Sequence, residues 1–424
     1  MSKNTKNTTV DIDYADQAVP KEGRKGFLTM FMIMLGFTFF SASMWVGQQM
    51  AAGLDFWGFI KSLLLGGAIL GVYTGLLGYV GAKTGLSMDL LAKRAFGEKG
   101  SYLSSAMISF TQIGWFGVGV AMFAIPVSGE LLGGSKAAMW ALVLVAGGCM
   151  TASAYFGIDS LTVVSYIAVP LVAILGTVAM VMAVRQGNGT IVDQFAVSSG
   201  SVTVIGGAGM VVGSFVSGGT ATPNFARFAK DAKSGTIATV VAFFIGNSLM
   251  FFFGAIAYIF VGGNDIFEVM IRLNLFYMAI LVLGLNIWTT NDNALYSAGL
   301  GLANIFRQKK KPMVLISGII GTLLSVWLYY NFCNWLNVLN CTLPPVGIIL
   351  VLSYFVNKKE YDSEKAEIKT VNWFCCDRCD RRRSGSKSCV MGNCFDQWYG
   401  SCSGLLCGMD RWFVKIVKEA AENA

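Results

Sequence analysis

The residues most able to do chemistry sit where a chain of this composition should carry none. Asn286, Thr289 and Thr290 fall within Gly284-Leu285-Asn286-Ile287-Trp288-Thr289-Thr290-Asn291-Asp292-Asn293, the most polar run inside any long apolar stretch. On a helix, positions i, i+3 and i+4 share one face, so the Asn286 carbonyl and the two hydroxyls can converge. Oxygen donors of this kind suit a hard cation. With no charged ligand required, a monovalent ion such as Na+ fits better than a divalent one. The competing reading is that these groups only bond helices together. Gln112 and Trp115 form a second pair at i and i+3. A primary amide presents a donor and an acceptor side by side, as a nucleobase edge requires. An indole face offers a stacking surface, and Phe215 can supply an opposite wall. The set describes a slot for a planar, uncharged, hydrogen-bonding heterocycle; taken alone it also describes ordinary packing with one interhelical bond. The chain has no histidine, which excludes His-based triads, imidazole metal sites and histidine proton relays.

The elements that position these residues follow from composition. Of 424 residues, 54% are hydrophobic and 13% charged, with mean hydropathy +0.60. A soluble domain carries roughly 25% charged residues, so the chain reads as an all-α polytopic membrane protein. A spanning helix needs about 20 apolar residues, and ten candidates are readable: 26–52, 57–82, 101–127, 136–156, 160–184, 202–222, 235–262, 273–298, 313–331 and 335–356. The polar segment 1–25 lacks an apolar core followed by a cleavage site, so the first span is expected to direct insertion itself. Lys21, Arg24 and Lys25, the basic residues between spans two and three, Arg227 to Lys233, Arg307 to Lys311 and Lys358 to Lys365 all fall on one side. That asymmetry predicts a cytoplasmic amino terminus and accounts for the +8 formal charge without a nucleic-acid partner.

Two spans carry polar and small residues at mid-depth: Phe39-Phe40-Ser41-Ala42-Ser43-Met44-Trp45 and Gly213-Ser214-Phe215-Val216-Ser217-Gly218-Gly219-Thr220, with Pro223 beyond. Discontinuous helices at such places hold the substrate and ion sites of secondary transporters. Serines bonding back to their own helix are the alternative. Breaks five spans apart predict an inverted repeat, 26–184 and 202–356, flanked by a tail 1–25 and a segment 357–424. Gly67, Gly71 and Gly75 lie on one face of the second span and invite close approach of another helix. Gly114, Gly117 and Gly119 lie within an apolar run with no strand before them, which argues against a phosphate loop.

Leu35 to Trp45 (LGFTFFSASMW), Gly114 to Pro126 (GWFGVGVAMFAIP), Gly284 to Tyr296 (GLNIWTTNDNALY), GAKTG at 81–85 and GNSLMF at 246–251 resemble, in the same order, segments of the nucleobase–cation symporter family. The resemblance runs over residues 20 to 372 and is to members that carry cytosine. It implies twelve helices, the first ten forming a five-plus-five inverted-repeat core of the leucine-transporter type, with alternating access about a central site. It implies cytosine stacked between Trp115 and Phe215, with Gln112 and the backbone near Ser214 reading its edge and Asn291 and Asn293 as further contacts. It places Na+ among carbonyls at Phe40 and Ser43 and the group Asn286, Thr289 and Thr290. No cofactor is expected, and a monomer is. A proton symporter needs a titratable group at mid-depth, and Asp292 is the one plausible carboxylate in the spans, near the cytoplasmic end. That favours Na+ symport. The alternatives are proton coupling, another base or hydantoin as substrate, and a channel or sensor; an enzyme is not expected.

The end of the chain is anomalous. Seven of the ten cysteines lie between Cys375 and Cys407, beside Arg381, Arg382 and Arg383. Cys376 and Cys379 make one CxxC, but a structural zinc site usually pairs two. Read one base downstream, every cysteine codon encodes Val or Ala. The expectation is that roughly 374–412 is translated out of frame, hiding two further spans.

Overall fold

The computed structural model describes residues 14–187, 190–195, 201–263, 265–361, 368 and 370, with backbone alone for 332–342, 359 and 360. The Cys/Arg-rich stretch 374–412, and the two spans expected there, lie outside the described residues. Among the described residues there is no strand beyond an isolated bridge between Lys25 and Ala229. The helices are α1 (Phe27–Thr38), α2 (Ser41–Gly53), α3 (Phe56–Thr84), α4 (Met88–Phe96), α5 (Ser101–Leu132), α6 (Lys136–Phe156), α7 (Ile158–Gln186), α8 (Ile191–Phe195), α9 (Val204–Thr220), α10 (Pro223–Ala226), α11 (Ala232–Ile256), α12 (Ile266–Arg272), α13 (Phe276–Phe306), α14 (Lys310–Tyr330), α15 (Phe332–Val356) and α16 (Lys358–Tyr361).

Each predicted span coincides with a helix or a helix pair. Among the described residues, six helices (α3, α5, α6, α7, α11 with its π-helical extension to Val261, and α14) are long and apolar enough to cross a bilayer; α1 and α2 qualify as one span bent by 57°. The 31-residue α13 is long enough, and holds the polar run from Asn286 to Asn293. Short polar side chains set the starts: Asp55 caps α3 through Gly58 N (3.0 Å) and Asp231 caps α11 through Ser234 N (2.8 Å).

The two expected breaks differ. The first falls between Thr38 and Ser41, with Phe39 and Phe40 extended. The second is not where the sequence suggests. Helix α9 runs unbroken through Gly213–Thr220 and is interrupted only at Ala221 and Thr222, before Pro223 opens α10. Ser214 explains the continuity: its hydroxyl donates to Val211 O (2.8 Å), within its own helix. Proline, which cannot donate to the turn before it, sets the actual stop.

Small residues bring the helices together. A Cβ on Gly75 would lie 2.6 Å from Val240, and one on Gly67 3.1 Å from Phe244, so the helix admitted by the glycine stripe is α11. Closer still is the crossing of α2 and α11, where a Cβ on Gly254 would overlap the Met44 carbonyl oxygen. A backbone atom cannot swing aside. Gly254→Ala is therefore expected to cost about 3 kcal/mol or more, read as a lowered melting temperature in detergent. An unchanged melt would mean that α2 and α11 do not cross at this distance.

On the side of the basic loops, residues 14–25 lie against helix ends. Val19 N donates to Gly85 O (2.9 Å) and Lys25 N to Phe228 O (2.6 Å). Arg227, fully buried, donates to Tyr14 O (2.7 Å) and to the Tyr296 hydroxyl (3.0 Å). Nearby Asp89, in the first turn of α4, is buried and accepts from Ser105 Oγ at 2.5 Å. Burial pushes its carboxyl up to about 6, against the downward pull of Ser105, Arg227 and Lys93. The folded chain thus prefers Asp89 protonated, and stability falls as pH rises from the usual carboxylate value through about 6. Asp89→Asn keeps an acceptor for Ser105 without that penalty. The variant should melt with the wild type at pH 4.5 and several degrees above it at pH 8. A gap independent of pH would show that Asp89 stays ionised throughout.

Candidate transport site

The α1–α2 break, the middle of α5, the second half of α9 and the polar face of α13 meet around one small cavity. Phe37, Phe40, Gln112, Trp115, Ser214 and Phe215 line it, together with Ser217, Gly218 and Thr290. The free space is about 10 Å³, roughly what one water molecule needs. A planar heterocycle enters only if the aromatic walls part. Those walls are packed edge to face: Phe40 on Trp115 (5.3 Å between centroids) and Phe37 on Phe215 (5.2 Å). The Trp115 indole N–H donates to Ser217 Oγ at 2.8 Å, tying α5 to α9. Gln112 is 1% exposed, and its Nε2 has no hydrogen-bond partner. An unpaired buried amide costs free energy until something satisfies it.

A cluster of oxygens adjoins the cavity. Thr290 Oγ1 donates toward Phe39 O (2.8 Å) and Phe37 O (3.3 Å), with Asn286 O at 3.5 Å. Thr289 Oγ1 lies 3.0 Å from Asn286 O. Ser41 Oγ donates to Asn286 Oδ1 at 2.7 Å, which joins the start of α2 to α13. The carbonyls facing Thr290 are therefore those of Phe37 and Phe39, not those expected at Phe40 and Ser43. The reason is local. Helix α1 ends at Thr38, so its last carbonyls are the ones released, whereas Phe40 O accepts Ser43 N (3.0 Å) inside the first turn of α2. The released carbonyls also carry the negative end of the α1 dipole.

The structure brings Gln112, Trp115, Ser214, Phe215 and Thr290 to one cavity, with Asn286 and Thr289 beside it. Asn291 is elsewhere: its Nδ2 donates to Phe116 O (3.2 Å) and meets the Met150 sulfur, on the face of α13 turned to α5 and α6. It packs helices and does not face the cavity. Asp292 is likewise turned to α6, where the Ser153 hydroxyl donates to it and the Trp288 indole donates to Ser153 (2.9 Å). Sequence reasoning missed Ser217, although it stands inside a quoted motif, because a hydroxyl's partner on another helix leaves no spacing signal. It also missed Asn247, which is 2% exposed with neither amide atom partnered. Its neighbours on α11 meet the end of α1, Ala242 O and Gly246 at Thr38, while Met250 meets Asn286 of α13, so Asn247 is level with the break.

A helical bundle with a broken first span, an aromatic cavity at the break and oxygens converging beside it is the architecture of a secondary transporter. The chain belongs to the permease family for cytosine/purines, uracil, thiamine and allantoin, which it matches over residues 18–372. It is 47% identical over 364 residues to the cytosine permease of Escherichia coli strain K12, covering 86% of each chain, and equally so to that of E. coli O157:H7. Among solved structures it is similar to Mhp1, a nucleobase-cation-symport-1 family transporter solved closed with bromovinylhydantoin bound (TM-score 0.70, 18% identity, 85% of this chain and 87% of that one). It is also similar to a Na+-coupled sialic acid symporter (TM-score 0.64, 15% identity, 82% of each). These two likenesses are of fold. The chain is thus a polytopic membrane transporter with a fold like that of Mhp1, and not an enzyme, as expected from the sequence.

Proposed function

We propose that the protein imports cytosine across a bacterial cytoplasmic membrane by Na+ symport with alternating access, as a monomer with its amino terminus in the cytoplasm. The observation that carries this reading is the buried Gln112 amide, its nitrogen unpartnered, at a cavity walled by Trp115 and Phe215. Cytosine is flat, uncharged and edged with adjacent donors and acceptors, so it can stack between the rings and pair with that amide. The name of the 47%-identical relatives supports the same base.

The ion reading rests on the oxygens of Phe37, Phe39, Asn286, Thr289 and Thr290. They come from α1 and α13, so a cation among them would hold those helices together while cytosine bridges α5 and α9. Loading both would favour one arrangement of the bundle, which is the physical content of symport. Repeats at 26–184 and 202–356 agree with interruptions at Phe39–Phe40 and Ala221–Thr222. For the tail, out-of-frame translation over 374–412 stays our reading; the family match ends at residue 372, and the intact mass of the purified chain tests it.

Uptake of labelled cytosine into proteoliposomes tests the function. An inward Na+ gradient should drive accumulation above equilibrium, and uracil, adenine and allantoin should compete poorly. Accumulation that ignores Na+ and follows a pH gradient would replace the ion assignment with proton coupling, for which Asp292 is the buried carboxylate to alter.

A further inference from the structure

A second cavity lies away from the transport site, on the outer face of the bundle. It is a groove of about 330 Å³ lined by Gly71, Gly75, Tyr79, Val240, Phe355 and their neighbours, without polar surface. The glycines of α3 leave its floor open, and α11 forms one wall. Tyr79 and Phe355 lie parallel, 6.1 Å apart and 7° from coplanar, joining α3 to α15. Val72 and Phe355 are 48% and 42% exposed, so the groove opens toward the space a bilayer occupies.

Three lysines stand at one end of it. Lys83 is one turn beyond Tyr79 on α3, at i+4, and Lys233 is one turn before Thr236 on α11, at i−3. Lys358 follows α15 and sets its ammonium 5.3 Å from the centre of the Phe355 ring. All three are exposed. Among the described side chains, the acid closest in sequence to these lysines, Asp231, has its carboxylate held by Ser234 N and Oγ at 2.8 and 2.9 Å. From Gly71 to Tyr79 the rise is about 12 Å, within the roughly 15 Å of one leaflet.

We propose that this groove is a binding site for one anionic phospholipid, an acyl chain lying over Gly71 and Gly75 and the phosphate held by Lys83, Lys233 and Lys358. Charge selects the headgroup. Lysines at a membrane surface attract anionic lipid, and the aromatic pair marks the depth at which headgroup gives way to chain. A zwitterionic lipid can fill the groove and offer its phosphate, but its own ammonium cancels that charge and leaves the three lysines without net compensation.

The test is native mass spectrometry of the full chain released from detergent, with dioleoyl phosphatidylglycerol and dioleoyl phosphatidylcholine titrated in competition. The wild type should retain phosphatidylglycerol at least roughly tenfold more tightly. Lys83→Gln, Lys233→Gln and Lys358→Gln combined should abolish that preference and leave weak binding of both lipids. Gly71→Leu should lose both; a Cβ there meets Val240 at an ordinary 3.8 Å, so the larger side chain fills the groove without forcing the helices apart. Melting curves confirm that each variant is folded. Equal retention of the two lipids by the wild type overturns the proposal, as does undiminished preference in the lysine variant. A wild type that holds neither lipid overturns it as well.

Discussion

Gln112→Ala should abolish cytosine uptake, with binding of the base weakened at least a hundredfold and Na+ binding little changed. A site built to hydrogen-bond a polar edge loses roughly 10²- to 10⁴-fold when one side of the pairing is removed, because the other side stays buried and unpaired. The stability consequence runs the other way. Gln112 Nε2 has no partner as the chain is folded, so truncation removes an uncompensated polar group and should leave the melting temperature level or slightly raised. That split, a large loss of binding with none of stability, separates recognition from packing. Gln112→Glu sharpens it by replacing a donor with an acceptor at constant size. If Gln112→Ala binds cytosine as the wild type does, the recognition reading fails and Gln112 is a packing residue.

Ser217→Ala should act more mildly. Its hydroxyl accepts the Trp115 indole N–H, so the variant frees the ring and removes one hydroxyl from the cavity lining while leaving Gln112 in place. The expected outcome is a several-fold rise in the cytosine concentration for half-maximal uptake, with the maximal rate little altered.

What the sequence could show was set by the reach of its signals. Apolar runs of 20 or more residues declare themselves, so all ten spans fell on helices. The first break was legible because two serines and a run of aromatics sit where lipid would demand aliphatic residues. The sixth span carries similar residues at Gly213–Thr220 and is unbroken there, since Ser214 satisfies itself on Val211. Composition does not distinguish a hydroxyl that bonds back from one that reaches across. Helical spacing grouped Asn286 with Thr289 and Thr290 correctly, because i, i+3 and i+4 are fixed by the helix itself. It could not choose among carbonyls, which every residue has. It was also silent on Asn291, whose orientation depends on the rotation of α13 against Phe116 and Met150. Residues on one helix can be placed from spacing; a pairing between helices needs the packed bundle.

Thr290→Val should raise the Na+ concentration for half-maximal uptake roughly ten- to a hundredfold, the scale of losing one oxygen from a small coordination shell. Valine matches threonine in shape, so the change is confined to the hydroxyl. That hydroxyl lies 2.8 Å from Phe39 O and 3.3 Å from Phe37 O, and its removal also takes that donor from the released carbonyls at the end of α1. Two effects must therefore be separated. If Thr290 only caps the break, Thr290→Val lowers stability by about 1–2 kcal/mol and leaves Na+ activation where it was. If it is an ion ligand, the activation curve shifts, and saturating Na+ restores both transport and melting temperature, because the cation then supplies what the carbonyls lost. Thr290→Ser keeps the oxygen and should stay close to the wild type in both measurements. Thr289→Val provides the internal comparison. Its hydroxyl bonds only within α13, to Leu285 O and Asn286 O, so its loss should shift Na+ activation without the structural cost. Na+ curves unchanged in both valine variants would move the coupling ion away from the α1–α13 junction.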